Sequence, residues 1–176
     1  MKDLLFIFLL TIPAFAFAQS DTSKAHVDYW ISGGLGLTLA GPGDIGGMGY
    51  PGITGRVAAN VLSDHTIISA RITATTDWPS GNAEELFDSG LLVGHALQPP
   101  GLRALFFATG IAAVWGDNMK NGGNDRFGPI IGLPVEAGFL FNMSKTCGAG
   151  FILHANINAK GSFAGLTFNL LLGKFH

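Results

Sequence analysis

Apolar and polar residues alternate along this chain with a period of two, in stretches separated by turn-forming clusters. In the first stretch Val27, Tyr29, Ile31, Leu35, Leu37 and Leu39 share one parity, and Asp28, Ser32, Gly34, Gly36 and Thr38 share the other. In the third, Ile68, Ala70, Ile72 and Ala74 oppose Ser69, Arg71, Thr73 and Thr75. In the sixth, Ile131, Leu133, Val135, Ala137, Phe139 and Phe141 oppose Gly132, Glu136 and Gly138. In the eighth, Leu166, Phe168, Leu170 and Leu172 oppose Gly165, Thr167, Asn169 and Gly173. A period of two with one apolar face is the signature of a β-strand. Eight strands are predicted, at 27–40, 50–62, 65–77, 84–97, 101–115, 127–142, 144–156 and 162–174. The fourth alternates weakly. The fifth, with Leu105, Phe106 and Phe107 in a row, leaves its faces unassigned.

These stretches exceed the usual soluble strand of ~5–6 residues. They match the ~9–11 residues that a tilted strand needs to cross a bilayer. From residue 19 onward, charged, Asn or Gly–polar clusters break every apolar run before it reaches the ~18–20 residues of a spanning helix. The connections alternate in length. Segments 41–49 and 116–126 are long, 78–83 and 157–161 intermediate, and 63–64, 98–100 and Met143 tight. Short turns at one end and long loops at the other are the habit of outer-membrane barrels. Aromatic residues mark strand ends: Tyr29, Trp30, Tyr50, Trp78, Trp115, Phe127, Phe141, Phe163 and Phe175. They are expected to form girdles at the two membrane interfaces.

Residues 1–18 read as a cleavable signal peptide. Lys2 is followed by the apolar run 4–12, and Ala16-Phe17-Ala18 sets small residues before Gln19. The mature chain would be 19–176 and exported.

Composition sharpens the picture. Charged residues make up only 12% of the chain and apolar ones 48%, with 26 Gly; soluble domains carry ~25% charge. A net charge of -2 excludes a nucleic-acid binder that works by neutralising phosphates. The one cysteine, Cys147, excludes a disulfide scaffold or a multi-cysteine metal site. In hydrocarbon every backbone N–H and C=O needs a protein partner, so the strands must close on themselves. The expected fold is therefore all-β, an eight-stranded antiparallel up-and-down transmembrane β-barrel. Eight strands leave an interior that side chains fill. The polar faces would supply a packed cluster of Arg56, Arg71, Glu136, Asp88, His154 and Asn156, with Asp28, Arg103 and Asn169 behind it. Buried charge must be paired, which predicts that Glu136 contacts Arg56 or Arg71.

With these features assembled, the chain resembles the small eight-stranded outer-membrane β-barrels of OmpA/OmpX type. The resemblance spans almost all of 19–176 and includes a C-terminal strand like the family's assembly signal, Gly165-Leu166-Thr167-Phe168-Asn169-Leu170-Leu171-Leu172-Gly173-Lys174-Phe175-His176. Phe175 is penultimate there and has the opposite parity from Phe168 and Leu170. The resemblance implies a Gram-negative outer membrane, with outer-membrane lipid, lipopolysaccharide and the barrel-assembly machinery as partners. It implies no cofactor and no resident metal. Recognition would fall to the extracellular loops, foremost Asp117, Asn121, Asp125 and Arg126.

Other motifs carry little chemistry. Gly41-Pro42-Gly43-Asp44-Ile45-Gly46 fits G-x-G-x-x-G but opens no helix, as dinucleotide binding requires. The segment 117–128 departs from a Ca²⁺ loop at Met119 and Gly128. Some lipid-hydrolysing barrels pair a His with a Ser two residues on; here Asn156 follows His154, and no nucleophile–base pair is evident. The expectation is a non-enzymatic envelope protein. Two alternatives remain: an exported lipocalin-like barrel with an apolar cavity, and a lipid-modifying barrel enzyme.

Overall fold

The computed structural model describes residues 27–41, 50–77, 85–117 and 126–175. The leader 1–18, Trp78, Asn121 and Asp125 lie outside the described residues. Eight strands follow in chain order: β1 (Val27–Gly41), β2 (Tyr50–Ser63), β3 (Thr66–Asp77), β4 (Glu85–Leu97), β5 (Ala104–Asp117), β6 (Arg126–Asn142), β7 (Cys147–Ile157) and β8 (Ser162–Lys174). Each pairs antiparallel with its sequence neighbour, and β8 returns to β1 to close the barrel. The closing register runs from Tyr29 opposite Lys174 to Gly41 opposite Ser162.

The alternation sorts the side chains by wall. Ile31, Leu35, Leu37, Val57, Ile68, Leu91, Ile111, Ile131, Leu153, Leu166 and Leu170 project outward and stay exposed. Asp28, Ser32, Arg56, Asn60, Arg71, Asp88, Glu136, His154 and Asn169 are buried inside. The fifth strand resolves on the same parity. Leu105, Phe107 and Ile111 face out, while Ala104, Phe106, Ala108, Ala112 and Val114 face in.

The interior is layered. At the end carrying the connections 64–65, 98–103 and 143–146, Trp30, Leu62, Ile67, Leu92, Phe106, Leu140, Ile152, Leu171 and Phe175 form an apolar floor. A second, smaller apolar group closes the other end, where Leu86 and Phe163 pack with Phe127. Arg56, Arg71, Asp88 and Glu136 lie between these two groups.

Several local expectations change. Trp30, Phe163 and Phe175 do not belong to an interfacial girdle; each lies inside the barrel. The ends of a narrow cylinder must be closed against water, and large rings do so with few residues. Trp115 stays on the outer wall, stacked on Phe87 at 6.1 Å between centroids. Residues 101–103 belong to a turn, and β5 starts at Ala104. The connection after β6 is the bend 143–146 rather than Met143 alone. There the Ser144 hydroxyl accepts N–H donations from Thr146 and Cys147, and this holds the chain out of the ladder. The connection 158–161 is no longer than 143–146, so loop length separates the two ends less sharply than the sequence implies. Pro134 has no N–H to give the ladder, and the β5–β6 pairing skips from Thr109–Val135 to Ala112–Gly132 around it. Its carbonyl instead accepts the Thr109 hydroxyl at 2.9 Å.

Candidate functional site

Among the described residues the most elaborate polar arrangement is the mid-barrel cluster, built from single inward positions on separate strands. Glu136 on β6 is its hub. Arg56 on β2 grips it with two parallel contacts, Nε to Oε1 and Nη2 to Oε2, each 2.8 Å. Arg71 on β3 donates from Nη1 to Oε1 at 2.8 Å. The other terminal Arg71 nitrogen, Nη2, reaches Asp88 Oδ2 on β4 at 2.5 Å. Asn156 on β7 donates to the same Asp88 oxygen at 2.8 Å. Two guanidiniums thus face two carboxylates, and the cluster is neutral as a whole.

The network extends through residues the sequence reading left out of the cluster. Arg56 Nη1 donates to the Ser32 hydroxyl at 3.1 Å, which also receives Asn60 Nδ2 at 3.3 Å. Ser69 donates to Asn60 Oδ1 at 2.8 Å. At the far side Asn158 Nδ2 donates to Asn156 Oδ1 at 3.2 Å. Their inward parity was legible. Ser32, Asn60 and Ser69 stand on the neighbouring strands β1, β2 and β3, with Asn60 directly opposite Ser69, so their membership depends on the register of those strands, which the alternation does not reveal.

Small residues make the room. A methyl group on Gly132 would strike the Asn156 amide, and one on Gly165 would lie 2.8 Å from His154 Nε2. His154 sits opposite Glu136 in the β6–β7 register, with Phe163 edge-on at 6.1 Å. Its two ring nitrogens have no hydrogen-bond partner among the described residues. Asp28 and Arg103 form a separate ion pair lower in the barrel, with Arg103 Cζ 5.9 Å from the Phe175 ring centre. Of the four predicted loop-contact residues, Asp117 and Arg126 stand opposite each other at the ends of β5 and β6. No group of three or more His, Cys, Asp and Glu able to hold a metal occurs among the described residues.

Charge sealed inside and aliphatic side chains outside is the reverse of a lipocalin, which needs a wet exterior around an apolar cavity. A bidentate Arg–carboxylate pair is strong and geometrically exacting. The arrangement fixes the strands on opposite walls at one separation.

Comparison with known proteins places this architecture. The chain matches no described protein family and no curated sequence. Among solved structures it is similar to Neisserial surface protein A, with a TM-score of 0.69 at 11% identity over 85% of this chain and 99% of that one. It is also similar to Ail, the attachment invasion locus protein of Yersinia pestis, with a TM-score of 0.56 at 9% identity over 87% of this chain and 100% of that one. The N-terminal β-barrel domain of Pseudomonas aeruginosa OprF gives a TM-score of 0.53 at 16% identity over 82% of this chain and 97% of that domain. The chain has the fold of the small eight-stranded outer-membrane β-barrels.

Proposed function

We propose that this protein is a non-enzymatic integral protein of the Gram-negative outer membrane, a barrel plugged by its own side chains. It would contribute to envelope structure or carry recognition loops on a rigid cylinder. The observation that carries this reading is the division of the walls. Residues such as Leu35 and Ile131, 72% and 76% exposed, look outward, while Arg56, Arg71, Asp88 and Glu136 are sealed inside. Only a hydrocarbon surround makes that division stable. Two apolar groups above and below a neutral ionic layer leave no reason for a continuous water path. Among the described residues no hydroxyl is hydrogen-bonded to His154, which supports a structural role over lipid hydrolysis.

On this reading the outer wall meets lipid and lipopolysaccharide, and β8 presents its Leu166, Phe168, Leu170 and Leu172 face to the assembly machinery. The loops would supply any outside contact. For Ail of Yersinia pestis, a complex with the heparin analogue sucrose octasulfate is known, a precedent for polyanion contact on such a scaffold.

The test is fractionation followed by electrophoresis with and without boiling. The protein should be recovered in the outer-membrane fraction, and the unboiled sample should migrate differently from the boiled one. Recovery in a detergent-free periplasmic supernatant would overturn the proposal.

A further inference from the structure

We infer that His65 and His95 form a two-imidazole site for a divalent transition-metal ion at the short-turn end of the barrel. His65 lies in the tight turn between β2 and β3, and His95 lies on the outer face of β4, next to Leu97. Both are exposed. Thr66, which follows His65, is the register partner of His95, so the fold brings the turn's ring beside the one on β4.

The ring of His65 is anchored. Its backbone carbonyl accepts the Ala96 N–H at 2.7 Å, and its Nδ1 lies 3.3 Å from the Ala96 carbonyl oxygen. A carbonyl only accepts, so Nδ1 carries the proton and Nε2 keeps its lone pair. This is the arrangement of a ligating histidine, whose second nitrogen donates to a carbonyl or carboxylate that orients the ring. The anchoring carbonyl belongs to the residue after His95, so the same stretch of β4 orients one ring and supplies the other.

The spacing suits a shared ion. Imidazole nitrogens bind at ~2.0–2.1 Å, so two rings on one ion have centres at most about 6.5 Å apart. Here the centroids are 5.6 Å apart, with the planes inclined by 41°. That separation corresponds to a bent N–metal–N angle. Imidazole donors select copper, nickel, zinc or iron over calcium or magnesium, and the usual affinity order sets Cu²⁺ first. The two histidines leave the remaining coordination positions to water, as in an open rather than a closed site.

The full-length protein, folded in detergent and carrying His26→Ala and His176→Ala to remove the other terminal imidazoles, is titrated with Cu²⁺. The expected result is one ion per chain with an electron paramagnetic resonance spectrum showing two equivalent nitrogens. His65→Ala and His95→Ala should each weaken binding at least tenfold and leave a one-nitrogen signal. Both side chains are exposed, and folding of each variant is checked by its unboiled gel mobility. Independently, Cu²⁺ or Zn²⁺ should protect His65 and His95 of the unsubstituted protein from diethyl pyrocarbonate. Unchanged binding in the doubly substituted chain, a one-nitrogen spectrum in the parent, or absence of protection would each overturn the site and leave ring stacking only.

Discussion

Arg56 and Glu136 meet through two parallel N–H···O contacts of 2.8 Å across the lumen, although eighty positions separate them in the chain. Removing one partner of such a pair strands the other in a dry interior. Glu136→Gln leaves Arg56 and Arg71 without their shared carboxylate and should cost ~3–5 kcal/mol. Arg56→Leu together with Glu136→Leu removes one charge of each sign and leaves Arg71 with Asp88. That pair of changes should cost far less than Glu136→Gln alone. Urea unfolding of protein reconstituted in lipid vesicles measures both. Equal losses would show that the cluster does not behave as a set of paired charges.

Adjacent residues on one strand should respond very unequally to the same treatment. Leu171 is 1% exposed and part of the apolar floor, whereas Leu170 is 56% exposed on the outer wall. Leu171→Ala opens a cavity and should cost ~2–5 kcal/mol, while Leu170→Ala should cost much less. Leu35, midway along β1, takes the complementary test. Leu35→Arg puts charge into hydrocarbon and should cost ~2–4 kcal/mol in a bilayer. Denaturant midpoints in vesicles check all three.

Two glycines of β1 also divide by wall. Gly33 faces out, and a methyl group built on it meets nothing within 4 Å. Gly36 faces in, and the same group would run into the Leu166 carbonyl across the β1–β8 seam. Backbone cannot move aside as a flexible side chain can. Gly33→Ala should therefore be neutral, and Gly36→Ala should cost ~1–3 kcal/mol and lower the refolding yield read on unboiled gels.

The floor of the barrel depends on its last aromatic. Phe175 packs on Trp30 with centroids 6.1 Å apart, and Arg103 lies over its ring while pairing with Asp28. Phe175→Ala should cost ~3–5 kcal/mol, and Phe175→Leu should recover much of that. Arg103→Met should lose ~1–3 kcal/mol because it breaks the charge-assisted contact with the buried Asp28 carboxylate. Thermal melts in detergent rank the three.

The strands and their walls were legible because Leu35 and Gly34, or Ile72 and Arg71, differ sharply in polarity at alternate positions. β5 resisted the same reading because both of its faces are apolar: Phe106 and Val114 inside, Phe107 and Ile111 outside. Burial in a closed end and burial in lipid select the same residue types. The same ambiguity misdirected Trp30, Phe163 and Phe175 to the interface. In the ionic cluster, the inward parity of Arg56, Arg71 and Glu136 was legible, and so was their need for pairing. That Ser32 and Asn60 continue the chain of contacts depends on the register of the neighbouring strands β1 and β2, and that Asp88 takes Asn156 of β7 as well as Arg71 depends on distances across the lumen. Those distances follow from tilt and stagger, which no local pattern encodes.

The Thr38 hydroxyl donates to the Ala164 carbonyl across 126 positions of sequence, at a seam joining the opening strand to the concluding one. Without β8 the cylinder cannot close, and β1 and β7 would each keep a raw rim of amide groups facing oil, so the eighth strand decides whether a sealed wall exists at all.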